Sequence, residues 1–447
     1  MSSTTRFNPE ERMARKAGIA SFVGTTIEWY DFYIYGTASA LVFGPLFFSN
    51  SDPAVATLLS FATFAVGFLT RPIGGVVFGH LGDKIGRKRA LILTLMLMGV
   101  TTFGVGLLPT YATIGALAPI GLIVLRLLQG LAVGGEWGGA VLIATEHTTK
   151  DRGFLFGAFA QQGSPAGRIL ATLAFLAVTS LLPEEALLEW AWRVPFLFSA
   201  VLVIVGLVIR LKLEESPEIE KLKKDDATAK VPVVDLFRSN SREVTLGVFS
   251  ILCVFVVVYA RDTFALAWAT TELNFSRDSF LSIILVASVL QFFVQPFGAL
   301  LTTRYDVRKI VTVLLGIEIP ALALMFMLMA TGNYWLAMLG AVIATIPDVM
   351  FYSVMAGMLA QAFPTRVRYT GISVTYGLSG ALCGTTPLIL QWLLDSSGTV
   401  VLPVAFGVIT TFISLVASRA LLKRTFGKDA DIPNEPNLDK REVTPVA

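Results

Sequence analysis

Apolar runs of about 20 residues or more recur along the whole chain, and a run of that length crosses the hydrocarbon of a bilayer as an α-helix. Twelve are read, at roughly 18–42, 57–80, 89–110, 113–145, 154–182, 193–212, 244–271, 279–303, 309–330, 334–363, 370–394 and 400–423. Inside hydrocarbon every backbone N–H and C=O must find a partner within the chain, so such runs predict helices. Composition agrees. Of 447 residues, 54% are hydrophobic and 15% charged, too few polar groups to cover a soluble protein of this size. The expected fold class is an all-α membrane protein with twelve transmembrane helices.

Lys and Arg gather in alternate connections. The basic set holds Arg6, Arg12, Arg15 and Lys16, then Lys84 to Arg89, Lys150 and Arg152, Lys221 to Lys230, Arg304 to Lys309, Arg366 and Arg368, and the tail from Lys423. The other set is nearly free of cations, as in SNSDP (49–53) and PEEALLE (183–189). The positive-inside rule therefore predicts both termini in the cytoplasm of a prokaryotic-type inner membrane. No cleavable signal peptide is expected, because the run after the basic leader is too long and Tyr-rich for an h-region. The net charge of +3 follows this membrane pattern and does not point to nucleic acid. Cys253 and Cys383 fall inside spans and read as small core residues rather than a disulfide or metal pair.

The longest polar interruption, 213–243, contains EESPEIEKLKKDDATAK and reads as a partly helical linker. It divides the chain into a leader (1–17), six spans (18–212), the linker, six further spans (244–423) and a tail (424–447). GHLGDKIGRKRAL (79–91) after the second span has a degraded copy, GALLTTRYDVRKIV (298–311), after the eighth. Arg304, Arg308 and Lys309 persist there, while Thr303 and Asp306 stand at the acid and glycine positions. Two six-span pseudo-repeats with a shared loop are what a parallel-repeat carrier predicts.

The first loop resembles the signature of the major facilitator superfamily, filled here by Gly79, Leu81, Asp83, Gly86, Arg87 and Lys88. Arg126-Leu-Leu-Gln129-Gly130 resembles its fourth-helix motif. EWYDFYIYG (28–36), FLTRPIGGVVFGHLGD (68–83), RLLQGLAVGGEWGGA (126–140), WRVPFLFS (192–199) and EESPE (214–218) are similar to the metabolite:H+ symporter family. That family carries shikimate, 2-oxoglutarate, citrate and zwitterionic osmolytes. The resemblance implies the major facilitator fold, alternating access and coupling to H+ with no other cofactor.

An ionisable residue inside a span is a functional-site hypothesis. Glu28 and Asp31 share one face of the first span, with Tyr35, a substrate-binding candidate, a turn further on. One of them is read as the proton-coupling acid; the competing reading is a static ion pair. Arg71 lies at a depth within about 3 Å of Glu28, so the two pair or Arg71 faces the cavity and binds substrate. Arg168 lies about 21 Å along the fifth span, amid Gly163, Pro165 and Gly167. Its planar fork suits a carboxylate substrate. The rival reading is an internal partner, Asp31 or Asp348. Arg126 and Gln129 read as a conformational hub, with Asp31 a candidate partner and a proton relay the alternative. Glu136 reads as structural and needs a partner.

Asp348, after Pro347 in the tenth span, is the second half's coupling or specificity acid, with Tyr352 one turn on. Arg261 and Asp262 are adjacent in the seventh span and point in different directions, so they are not expected to neutralise each other; either suits an outer gate. Gln291, Gln295, Tyr376 and Gln391 are candidate polar lining. Asp83, Arg87 and Glu146 suggest a cytoplasmic latch, which the family uses to hold the outward-open state. His80 and His147 are assigned to cytoplasmic loops. Neither metal-ligand spacing nor a nucleophile triad is found, and the glycine run 130–139 lies in a span without a following Lys-Ser/Thr, which disfavours ATP-driven transport.

The expected function is proton-coupled import of a small organic acid, shikimate-like or a di- or tricarboxylate, by a monomer in contact with lipid. The aromatic first span suits a ring. A zwitterionic osmolyte such as proline or betaine is the alternative, against which the short tail without heptads counts. A transporter-fold sensor lacks a loop long enough for a soluble domain, and an enzyme lacks a nucleophile and base at one depth.

Overall fold

A computed structural model describes residues 9–148, 153–225 and 231–426. Arg6, Lys150, Arg152, Lys230 and the tail beyond Phe426 lie outside the described residues. Among those described there are helices and no strands. The first half comprises α1 (Pro9–Leu41), α2 (Pro53–Ile85), α3 (Arg87–Leu107), α4 (Leu117–Glu146), α5 (Gly153–Leu181) and α6 (Arg193–Leu211).

In the second half, α7 runs through Ser241–Ser250, Leu252–Val258, a π-helical stretch Tyr259–Phe264 and Ala265–Thr271. Then follow α8 (Arg277–Leu301), α9 (Val307–Met329) and α10 (Tyr334–Ala362). The last two are α11 (Arg368–Cys383, continued by Thr386–Ser397) and α12 (Val401–Phe426).

Ten helical stretches among the described residues are long and apolar enough to span by composition alone. The other two spanning helices are α1 and α5, whose middles carry Glu28 and Asp31, and Gln161, Gln162 and Arg168. Gln161, Gln162 and Arg168 reach across to the second half, while Glu28 and Asp31 face the interior of the first. Helix α1 begins well before residue 18, and the linker contains two short helices, Pro217–Lys224 and Pro232–Ser239.

Lipid supplies no hydrophobic drive between helices, so close backbone packing has to hold the bundles together. Helices α2 and α4 show how the sequence provides it. A Cβ on Gly130 would sit 2.0 Å from the Gly67 carbonyl oxygen, and one on Gly134 would sit 2.0 Å from that of Arg71. The second half repeats this between α8 and α10, where a Cβ on Gly298 would lie 2.1 Å from the Met350 carbonyl oxygen.

The halves meet where α2 runs along α11, and where α5 lies against α8 and α10. A shared core crosses that seam, with Trp137 and Ala140 of α4 packed among Phe351, Met355 and Tyr376. Each half also keeps its own core, around Tyr30, Phe43 and Trp192 in the first and around Phe264, Trp268 and Phe326 in the second.

Candidate substrate cavity and gates

A narrow cavity opens inside the first half, between α1, α2 and α4. Glu28, Phe32, Arg71, Arg126, Gln129 and Val133 line it. The glycine contacts just described bring α2 and α4 close enough for their cations to share it.

Arg71 and Glu28 share this space rather than a contact: no ion pair joins them among the described residues. The expected local pair is therefore corrected. The Arg71 guanidinium is drawn onto aromatic faces instead, 4.3 Å from the Phe68 centroid and 5.4 Å from that of Phe32. Its Nε has no hydrogen-bond partner. The charges that Glu28 faces are Glu136, Arg71, Arg210 and Asp31, and its Oε2 is buried without a partner.

Arg126 and Asp31 are joined by a relay. Arg126 Nη1 donates to Gln129 Oε1 at 2.6 Å, and Gln129 Nε2 donates to Thr102 Oγ1 at 2.8 Å. The Thr102 hydroxyl donates to Asp31 Oδ2 at 2.7 Å. A cation and a carboxylate are thus coupled through two neutral side chains, leaving Asp31 Oδ1 unpartnered. Tyr35 is not cavity lining. It is fully buried against Phe43 and Phe64, donates to Thr63 Oγ1 at 3.0 Å, and carries Arg126 4.3 Å above its ring. It positions Arg126, because its face of α1 turns into the bundle core.

Glu136 finds its cation in Arg210 of α6, in a very short contact, and accepts from Thr94 Oγ1 at 2.6 Å. Arg210, two residues from the expected end of its span, carries no sequence sign of facing inward; an unpartnered Glu136 is the only signal for it.

Arg168 is tied to three helices at once. Its Nη1 donates to Ser288 Oγ at 2.6 Å, its Nη2 donates to the Tyr33 hydroxyl at 2.5 Å, and Asp262 lies 3.9 Å away. The internal partner is Asp262, not Asp31 or Asp348. Tyr33 follows Glu28 by five residues, about 7 Å along the helix, so this cluster lies deeper than Glu28 on the side away from the basic loops.

Asp262 is in turn held by its neighbour Arg261, whose Nε donates to Asp262 Oδ1 at 2.8 Å. The expectation that these two diverge fails because Tyr259–Phe264 is π-helical, and the wider i→i+5 turn rotates adjacent side chains toward one another. Arg261 also reaches Thr345 Oγ1 at 3.1 Å and Asp348 at 3.5 Å.

The remaining lining candidates divide. Tyr376 stacks on Trp137 at 4.0 Å across the seam, and Trp137 donates to Gln161, which donates to the Tyr352 carbonyl oxygen. The Tyr352 hydroxyl neighbours that of Tyr376 but has no partner with full hydrogen-bond geometry. Gln291 is spent on Gln295 within α8, and Gln391 on Asp395. His80 lies within the last turns of α2 rather than in a loop, and His147 follows α4 with its ring against the Ile143 carbonyl oxygen.

On the basic face the latch residues assemble across the seam. Asp83 is fully buried, accepts from the Tyr369 and Thr370 backbone N–H groups at 3.2 and 2.9 Å, and pairs with Arg87 at 2.8 Å. Arg87 also reaches Glu146 at 3.3 Å and the Thr365 carbonyl oxygen at 2.9 Å. Glu146 continues to Arg368 at 3.3 Å and to Ser216 of the linker, and Arg368 to Glu218. EESPE therefore supplies two members of the latch.

Two six-helix halves, joined by ionic clusters on either side of a charged cavity inside the first half, have the build of a membrane carrier. The chain belongs to the major facilitator superfamily. The family description "Sugar (and other) transporter" matches residues 16–244, and "Major Facilitator Superfamily" matches 250–445. An inner membrane metabolite transport protein of Escherichia coli K12 is 40% identical over 389 residues, covering 86% of this chain and 88% of that protein. The shikimate transporter of the same organism is 38% identical, covering 83% and 85%, and its proline/betaine transporter is 33% identical, covering 90% and 82%. Among solved structures, the proton:xylose symporter bound to 6-bromo-6-deoxy-D-glucose superposes with a TM-score of 0.72 at 15% identity, over 94% of this chain and 96% of that one. At that identity the likeness concerns the fold. The protein is a transporter and not an enzyme.

Proposed function

We propose that the protein is a proton-coupled symporter that takes up a small organic acid by alternating access, with its basic face in the cytoplasm. The observation that carries this reading is Arg71. Among the described residues neither cavity cation touches a carboxylate, but Arg126 is held by Gln129 and the Phe64 carbonyl oxygen while Arg71 meets only aromatic faces, so the Arg71 charge is available to a carboxylate from outside. Arg168, favoured from the sequence, already has Asp262, Tyr33 and Ser288, and acts as the outer closure. Phe32 beside Arg71 offers an apolar face for a ring-bearing acid.

Glu28 and Asp31 each keep a carboxyl oxygen free of partners, where a proton can reside and leave. A proton on Glu28 lets an anion approach Arg71 without repulsion, and substrate and proton then cross together. The relay from Asp31 to Arg126 carries the change of charge to α3 and α4. An organic-acid cargo is also in keeping with the shikimate transporter among the relatives.

Glu28 opposite Arg71 also suits a zwitterion such as proline or betaine, the second reading. Uptake of a panel of labelled acids and betaines into proteoliposomes under an imposed pH gradient separates the two. The proposal expects gradient-driven accumulation of a carboxylic acid. Flux indifferent to the gradient removes the symport, and accumulation of betaine alone removes the carboxylate.

A further inference from the structure

A buried acid outside the cavity has no assigned task. Glu318 lies in the middle of α9, is 1% exposed, and both its carboxylate oxygens are buried without a hydrogen-bond partner. An ionised carboxylate left in that state would be very costly. The charged groups that face it are Asp348 from α10 and Arg261 from α7. The Cys253 thiol of α7 also faces Glu318 and Asp348, and Asp262 lies one residue beyond Arg261. Helix α12, packed along the other side of α9, has no titratable residue over 404–418.

Counting charge shows why this matters. The cavity cluster of the first half is balanced, with Glu28, Asp31 and Glu136 against Arg71, Arg126 and Arg210. Midway along the spans of the second half, among the described residues, buried Asp348 and Glu318 and part-buried Asp262 face Arg261 alone. Arg168, reaching over from α5, supplies the second cation through Asp262. Three acids therefore share two guanidinium groups, and the surplus acid is Glu318, the one in no ion pair and with neither carboxylate oxygen hydrogen-bonded.

We propose that Glu318, with Asp348 and Arg261, forms a proton-binding site of the second half, and that its occupancy is linked to the outer closure through Arg261 and Asp262. While Glu318 holds a proton, Arg261 serves Asp348 and Asp262, and Asp262 holds Arg168. When the proton leaves, Glu318 competes for Arg261; Asp262 then depends on Arg168 alone, and the bridge between the halves changes in strength. The inference rests on the proton-coupled reading only for its use in transport, since the site itself is present without substrate.

Infrared spectroscopy of the purified, substrate-free protein at neutral pH counts protonated carboxyl groups directly. Glu318→Gln should remove one protonated-carboxyl signal. Asp348→Asn should do the same, because Glu318 then ionises against the released Arg261. A full signal retained in both variants overturns the site. If E318Q perturbs folding, Asp348→Asn decides alone: loss of the signal supports the site and its retention overturns it. Indifference of wild-type uptake to the pH gradient, with the signal present, would instead defeat the symport and leave this site standing.

Discussion

The two copies of the basic loop use similar residues to opposite effect. In the first copy, Asp83 and Arg87 have no exposed side-chain surface; they bind α11 across the seam and the end of α4 within their own half. In the second, Asp306 and Arg308 pair only with each other at 2.8 Å, with side chains 37% and 49% exposed, and Asp306 also caps α9 by accepting from the Arg308 N–H. Burial, not residue type, separates a latch from a local turn. A charge withdrawn from water at a seam must be matched by the other half, so it reports whether the halves are joined. An exposed pair is matched by water and salt whichever way the halves move.

Substitutions sharpen this contrast. Arg87→Gln should have the largest effect, since it leaves Asp83 without a cation and Glu146 with Arg368 alone, and removing one member of a buried ionic group costs about 3–5 kcal/mol. A cysteine placed at Ser373, buried in the seam against Gly75, should then react with a water-soluble thiol reagent, in a background with Cys253 and Cys383 replaced by Ala. Unchanged protection would mean that the latch does not hold the face closed.

Asp83→Asn should come next. Arg87 keeps Glu146, so labelling at position 373 should rise less than in R87Q. A larger rise would shift the weight of the latch onto the helix cap. Asp306→Asn should come last, with uptake and thermal midpoint unchanged at neutral pH. Hydrogen bonds from Arg308 hold the Asp306 carboxyl below the usual aspartate range. Its small contribution is present above about pH 4, the ordinary aspartate value, and is lost only as pH falls through the depressed one. A clear loss at neutral pH would break the contrast.

The number and order of helices are legible in the sequence because hydrocarbon leaves the backbone no alternative. The positions of most buried charges are legible too, since each interrupts an apolar run. Their pairing is not, because a partner depends on how a helix is rotated about its axis. Arg168 and Asp262 meet only because α5 and α7 face each other, and Arg261 folds onto Asp262 only because the helix widens there. Tyr35 sits on the expected helix but turns inward. Glu318 obeys the same rule as the other intramembrane acids, yet it is missing from the sequence-based candidates. Its run, VLLGIEIPALAL, holds no second polar side chain to suggest a site.

Arg71 and Arg168 carry the same charge, and only one of them is free. Affinity of the purified transporter for its acid substrate, measured in Arg71→Gln and Arg168→Gln, tests that difference most directly. R71Q should weaken binding by about 10- to 100-fold, the worth of a hydrogen-bonded charge, while R168Q should leave affinity within a few-fold and alter the closing of the outer face. Loss of binding in R168Q with R71Q unaffected would contradict the account.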